Sequence, residues 1–208
     1  MGTLILSGGG NATNTKEINQ YFVKRINEDK PLLYIPIAGN EEIRSYEENV
    51  NYIRSIFNPL GLSSVQMWTD VARKNIEDIN RYSAVYIGGG NTLSLLKRFK
   101  RENFDKVLKE YYNNGGIIYG QSAGSIIFGK EIAHTCPEHS SKENTQGLNL
   151  VNNHSVWCHY SKEEDIVIKE YITRYNYSFF LIPEGSAIVV NEGEIFGIGK
   201  NAPMYMEK

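Results

Sequence analysis

The chain has 208 residues, 22% of them charged, and a formal net charge of -2, so its bulk charge gives no reason to expect nucleic acid or an anionic membrane as a partner. Its size and an apolar content of 41% suffice for a packed core without metal or disulfide staples. Two cysteines, Cys136 and Cys158, make neither a disulfide framework nor a C-x-x-C pair.

The elements expected in chain order begin with a short strand over 3–10 (TLILSGGG) that ends in glycines. A helix follows over 15–28, with Ile18, Phe22, Val23 and Ile26 at helical spacing. A second strand lies in 31–39 (PLLYIPIAG), and 46–61 is a helix with a Pro-Leu-Gly stop. A third strand (63–69), a short helix (74–82) and a fourth strand running into glycines (83–90) come next. Helices are expected over 91–103, behind an Asn-Thr cap, and over 104–116, which ends in glycine. The fifth strand is 116–120 (GIIYG), followed by a helix over 122–132. Residues 138–147 read as a polar loop and 148–161 as strand material; 162–175 is a helix, and 178–199 is strand, turn, strand, ending in a hairpin. No repeat or linker interrupts 1–208, which is expected to be one domain. The N-terminus lacks a basic region, and no apolar run approaches the ~18 residues of a membrane span, so a cytoplasmic protein is expected.

Strands alternating with helices predict a mostly parallel α/β sheet with helices on both faces. The strands are near-continuous apolar runs, as a doubly covered sheet requires. Ligands of such sheets bind beyond the carboxyl ends of the strands. Three loops should meet there: Gly8-Gly9-Gly10, Gly88-Gly89-Gly90 and Gly120-Gln121-Ser122.

Gly120-Gln121-Ser122-Ala123-Gly124 has the G-x-S-x-G form, set between a strand and a helix. There a serine sits on a tight turn with its hydroxyl exposed, its neighbours must be small, and the next N–H can face an oxyanion. The same residues would serve as a plain βα turn with a capping serine. A nucleophilic serine needs a base and an orienting acid. Of the four histidines, His134 and His139 fall in the polar region and read as surface residues, and His154 reads as a turn residue. His159 ends an apolar run downstream of Ser122, where a base could reach it. Glu184 stands alone between two apolar runs, yet pattern does not separate it from Asp165, Glu192 or Glu194. The glycines before Asn91 supply backbone N–H donors; a nucleotide site is disfavoured because neither G-x-G-x-x-G nor a P-loop motif is present.

The segments IGGGNTLSLL, IIYGQSAGSIIF, WCHYS and LIPEGSAIVV, in that order, resemble the peptidase E and cyanophycinase family of serine peptidases, with LILSGGG and YIPIAG also fitting, over nearly the whole chain. The resemblance implies a flavodoxin-like fold related to class I glutamine amidotransferases, with serine in place of their cysteine. It implies a triad of Ser122, His159 and Glu184, and an oxyanion hole from the N–H groups of Ala123 and of Gly89 or Gly90. It further implies hydrolysis of short peptides through an acyl-enzyme, without metal or organic cofactor. Aspartate-specific members carry an arginine soon after the histidine; here 161–165 reads SKEED, and the nearby cations are Lys162 and Arg174. A pocket of this kind is expected to hold a free peptide amino terminus by acidic groups, walled by residues 138–145. The alternatives are a non-catalytic ligand-binding module on the same fold, and an esterase or amidase using the same triad.

Overall fold

The computed structural model describes residues 1–27, 29–136 and 144–207. The first half of the chain runs β1 (Thr3–Ser7), α1 (Lys16–Val23), β2 (Leu32–Ile35), α2 (Tyr46–Phe57), β3 (Val65–Met67), α3 (Ile76–Ile79), β4 (Ala84–Ile87), α4 (Thr92–Arg101) and α5 (Phe104–Asn113). The second half runs β5 (Ile117–Gln121), α6 (Ala123–Ile126), β6 (Ser155–Cys158), α7 (Asp165–Tyr175), β7 (Phe179–Ile182), β8 (Ser186–Asn191), β9 (Glu194–Gly199) and β10 (Met204–Met206).

Seven strands make one sheet in the order β3-β2-β4-β5-β1-β8-β9. All pairings from β3 to β1 are parallel, and β8 and β9 add antiparallel strands at one edge. Successive strand residues point to opposite faces. Leu4, Leu6, Val85, Ile87 and Ile118 therefore pack with Leu96, Phe99, Phe104 and Leu108 of α4 and α5. Ile5, Tyr34, Tyr86 and Tyr119 pack the other way, onto Ile18, Phe22, Ile53 and Phe57 of α1 and α2. Burial on both faces is why the strands lack polar alternation. Local caps agree with this layout: Ser45 and Glu48 form a capping box at α2, and the Asn91 side chain accepts the Ser94 N–H at α4.

Three details depart from the sequence reading. The helix expected over 122–132 is only α6, because the carbonyls of Ile127, Phe128, Gly129 and Lys130 accept N–H groups from residues 147–150 instead of continuing the helix. The strands flanking Pro183-Glu184-Gly185 belong to different sheets: β8 joins the large one, while β7 lies in a three-stranded sheet between β6 and β10. That small sheet has its own core, Trp157, Phe179 and Leu181 against Ile168 and Ile172 of α7. Third, His134 is half-buried and not a plain surface residue. Its ring stacks on Trp157 (centroids 4.9 Å) and meets Phe179 edge-on (5.2 Å), and both ring nitrogens are buried with no hydrogen-bond partner among the described residues. Apolar side chains of β6 and β7 draw the ring in. His139 and Glu138 lie outside the described residues.

Burial pulls the His134 pKa down from 6.5 to about 4. Between those values the unfolded chain takes up a proton that the native state refuses, so stability falls as pH drops through this window and levels off below it. By pH 4 the loss amounts to about 3 kcal/mol. His134→Leu should lack this component. Urea unfolding of both proteins from pH 7.5 to 4 checks it, and parallel pH dependences would contradict it.

Candidate active site

The chain leaves β5 through Ser122, whose φ of 50° and ψ of -113° cost a side-chain-bearing residue roughly 1–3 kcal/mol. The flanking glycines make the bend possible. A Cβ on Gly120 would lie 2.4 Å from the Gly124 carbonyl oxygen, and one on Gly124 would lie 2.3 Å from the Ile87 oxygen. The Ser122 N–H donates to Ser7 O at 3.0 Å, and the buried Ser125 hydroxyl lies 2.8 Å from both Ser7 O and Gly120 O. The serine is thus held in a strained turn with its hydroxyl outward.

His159 follows β6 at a φ of 56° and donates its backbone N–H to Gly8 O at 3.0 Å. Its Nε2 lies 2.8 Å from Ser122 Oγ. On the other side of the ring, Nδ1 lies 2.9 Å from Glu184 Oε1. In the tautomer this geometry fits, Nδ1–H donates to the carboxylate and the serine hydroxyl donates to Nε2. Glu184 occupies the turn between β7 and β8, where the Gly185 N–H donates to Gly9 O at 2.9 Å. The imidazole rests on Gly9: a Cβ there would stand 2.3 Å from His159 Cε1.

Of the two oxyanion candidates in the glycine loop, Gly89 is against the serine, with its Cβ position 3.3 Å from Ser122 Cβ, while Gly90 is pressed onto the Ala38 carbonyl. Among the described residues, no protein acceptor takes the N–H of Gly89 or Ala123. His154 bonds Val151 O and the Tyr205 hydroxyl, as a turn residue would. Asp165 accepts from Tyr160 and Glu164 from Trp157. Both cysteines are free thiols; burial pushes that of Cys158 well up, so it is no rival nucleophile.

A cleft of about 550 Å³ opens over Ser122, His159 and Glu184. Sequence reading missed its other wall, Tyr34, Arg44, Asn49 and Tyr52. Those residues sit in a strand, a loop and a helix without any motif, and only the strand order brings them to the site. Gln121, also missed, accepts from the Tyr86 hydroxyl at 2.9 Å and reaches Gly10 O at 3.4 Å, bracing the floor. Lys162 and Arg174 do not line the cleft; Arg174 stacks over Tyr175 instead. Among the described residues no three His, Cys, Asp or Glu side chains are grouped as metal ligands, and no helix is long and apolar enough to cross a membrane.

In fold the chain is an α/β protein of the class I glutamine amidotransferase-like type, with Ser122 on the tight turn after β5. The chain belongs to peptidase family S51, whose model matches residues 3–198. It is 30% identical over 106 residues to peptidase E of Haemophilus influenzae, an alignment covering 51% of this chain and 47% of that protein. It is 31% identical over 137 residues to the Listeria innocua peptidase Lin0382, covering 60% and 62%. The chain thus spans about half to three-fifths of the length of these curated relatives. In fold it matches a crystal structure of a peptidase from an acI-B1 Actinobacterium at a TM-score of 0.74 and 18% identity, over 100% of this chain and 94% of that one. A structure from Listeria monocytogenes EGD-e named for peptidase E matches at a TM-score of 0.73 and 22% identity, over 97% of this chain and 100% of that one.

Gly9→Ala should displace the imidazole and strain a backbone held at a φ of +112°, costing roughly 1–3 kcal/mol. The ring ¹⁵N resonances of His159 should shift; unchanged signals would contradict the close packing.

Proposed function

We propose that the protein is a serine peptidase that hydrolyses short peptides through an acyl-enzyme on Ser122, in a cytoplasmic setting suited to its two free thiols. The observation that carries this reading is the unbroken line from Ser122 Oγ to His159 Nε2 at 2.8 Å and from Nδ1 to Glu184 Oε1 at 2.9 Å, built on a strained turn. A mere capping serine has no need of such a line. Membership of a peptidase family supports it.

In this mechanism His159 takes the Ser122 proton as Oγ attacks the scissile carbonyl carbon, and the carbonyl π electrons move onto oxygen. Positioned acid–base catalysis of this kind contributes typically ~10²- to 10⁴-fold. The N–H groups of Ala123 and Gly89 receive the oxyanion, each such donor being worth roughly 3 kcal/mol. Collapse of the intermediate breaks the C–N bond, and the imidazolium hands its proton to the leaving amine. Water, deprotonated by His159, then releases the acid from Ser122. Glu184 keeps the proton on Nδ1 and offsets the imidazolium charge.

Wild-type protein should react with a fluorophosphonate probe at Ser122, and Ser122→Ala should neither label nor cleave a dipeptide panel that includes Asp-X. Full peptidase activity in Ser122→Ala would remove the nucleophile from this reading. Labelling without peptide cleavage would favour an esterase or amidase using the same groups. Glu184→Gln should lower kcat roughly 10³- to 10⁴-fold, because the amide can donate where it must accept and so favours the wrong tautomer. Steady-state kinetics on the same peptides measure it, and a kcat within threefold of wild type would exclude Glu184 as the orienting acid.

A further inference from the structure

We infer that Arg98 is a positioning residue for the oxyanion site: its guanidinium fixes the turn after β2, and that turn fixes the glycine loop lying against Ser122. The inference rests on the serine peptidase reading, in which the Gly89 N–H receives the oxyanion.

The turn spans 36–39 and is closed by the Gly39 N–H, which donates to Pro36 O at 2.9 Å. Its two central residues, Ile37 and Ala38, are buried, and a buried carbonyl needs a donor. Both carbonyls find one at α4. Ala38 O accepts the Asn91 N–H at 2.8 Å, and Ile37 O accepts from Arg98 Nη1 at 3.2 Å. Asn91, Ser94 and Arg98 are three and four residues apart, so they share one side of the helix. The Asn91 side chain accepts the Ser94 N–H at 2.8 Å. One rigid element therefore grips the turn at two points, its N-terminal cap and the Arg98 side chain.

The glycine loop has no side chains to hold its own shape and takes that shape from the turn. The Gly88 N–H donates to Ile35 O at 3.0 Å. Gly90, at a φ of +142°, leans on the turn, and a Cβ there would lie 2.1 Å from Ala38 O. Gly89 stands between these two fixed residues, with its Cβ position 3.3 Å from Ser122 Cβ. A shift of the turn is therefore a shift of the Gly89 donor relative to the serine. Misplacement by about 1 Å can cost on the order of 10²-fold in rate.

An ionised donor binds a carbonyl more strongly than a neutral one. Little competes for the guanidinium. Among the described residues Arg98 forms no ion pair, and the outer cleft that it lines with Ser94, Lys97 and Arg101 carries no carboxylate. Arg98 also lies in the last turn of α4, where a cation favours the helix dipole. That role alone asks only for positive charge and leaves the rate of folded enzyme untouched.

On a peptide that wild type cleaves, Arg98→Gln should lower kcat roughly 10- to 100-fold, because it displaces one oxyanion donor without deleting it, and should leave KM within about threefold. Arg98→Lys, which keeps the charge without the fork, should recover part of the rate. A peptide aldehyde, whose hemiacetal with Ser122 puts an oxygen where the oxyanion forms, should lose affinity in step with kcat/KM. Peptide binding to Ser122→Ala, read by isothermal titration, should not change when Arg98→Gln is added. In ¹H–¹⁵N spectra of the free protein, Arg98→Gln should move the amide signals of Gly89 and Asn91 and leave those of α7 in place. Unfolding midpoints verify that each variant is folded, and Arg98→Met, which keeps an unbranched stem, replaces Arg98→Gln if that variant is not. A kcat within threefold of wild type, a loss confined to KM, or unmoved Gly89 signals would overturn the inference while fluorophosphonate labelling of wild type leaves the peptidase reading standing. Failure of wild type to label or cleave overturns that reading, and the Gly89 signals, which need no turnover, then decide by themselves whether Arg98 sets the loop.

Discussion

Three successive carbonyls at the end of β1 organise the site. Ser7 O accepts the N–H of Ser122, Gly8 O that of His159, and Gly9 O that of Gly185, the residue after Glu184. Each segment bearing a candidate catalytic side chain is thus pinned to the same three-residue stretch. Backbone N–H···O bonds hold donor and acceptor within a narrow range, about 2.7–3.2 Å. The Oγ–Nε2–Nδ1–Oε1 line follows from that shared anchor, although its members lie 37 and 25 residues apart in sequence.

The anchor has a steric condition. Gly8 faces the Ile182 and Pro183 carbonyls, with a Cβ position 2.2 Å from the Ile182 oxygen, and Gly9 faces the imidazole. A side chain at either would force the β6 and β7 segments away from the central sheet. The glycines after β1 therefore do a different job from those around Ser122, which relieve a bend within one strand–helix junction. The strain at Ser122 is local, and the surrounding bonds from Ser125 and Ser7 hold it. Closure between the two sheets is long-range and depends on the absence of side chains at 8 and 9.

Beneath this edge lies a polar floor inside an apolar core. Tyr86 and Tyr119 stack at 4.5 Å, and burial raises both phenols far above their ordinary range. Both remain protonated donors, Tyr86 to Gln121 and Tyr119 to Asn19. A buried hydroxyl with a partner is tolerated where an orphan is costly. Gln121, next to Ser122, thereby connects the floor to the β1 loop through Gly10.

Much of the large sheet was legible in the sequence, because continuous apolar runs separated by helical periodicities report burial on both faces directly. The serine turn was legible for the same local reason: G-x-S-x-G states a steric requirement within five residues. The acid was not. Asp165 is far nearer to His159 in sequence than Glu184 is, yet it bonds Tyr160, and pattern alone left Glu184 level with Asp165, Glu192 and Glu194 until the family resemblance singled it out. Nor could periodicity foresee that β7 and β8, three residues apart, enter different sheets, or that carbonyls 127–130 would be taken by 147–150 and cut α6 short. What the chain's order of residues settled by itself was every feature whose cause lies within one element: strand, cap, glycine bend. Only tertiary structure decided the Glu184 contact, the packing of the His134 ring and the Arg44 wall, because each depends on surfaces that meet after the strands are ordered, where burial and hydrogen-bond partners come from distant parts of the chain.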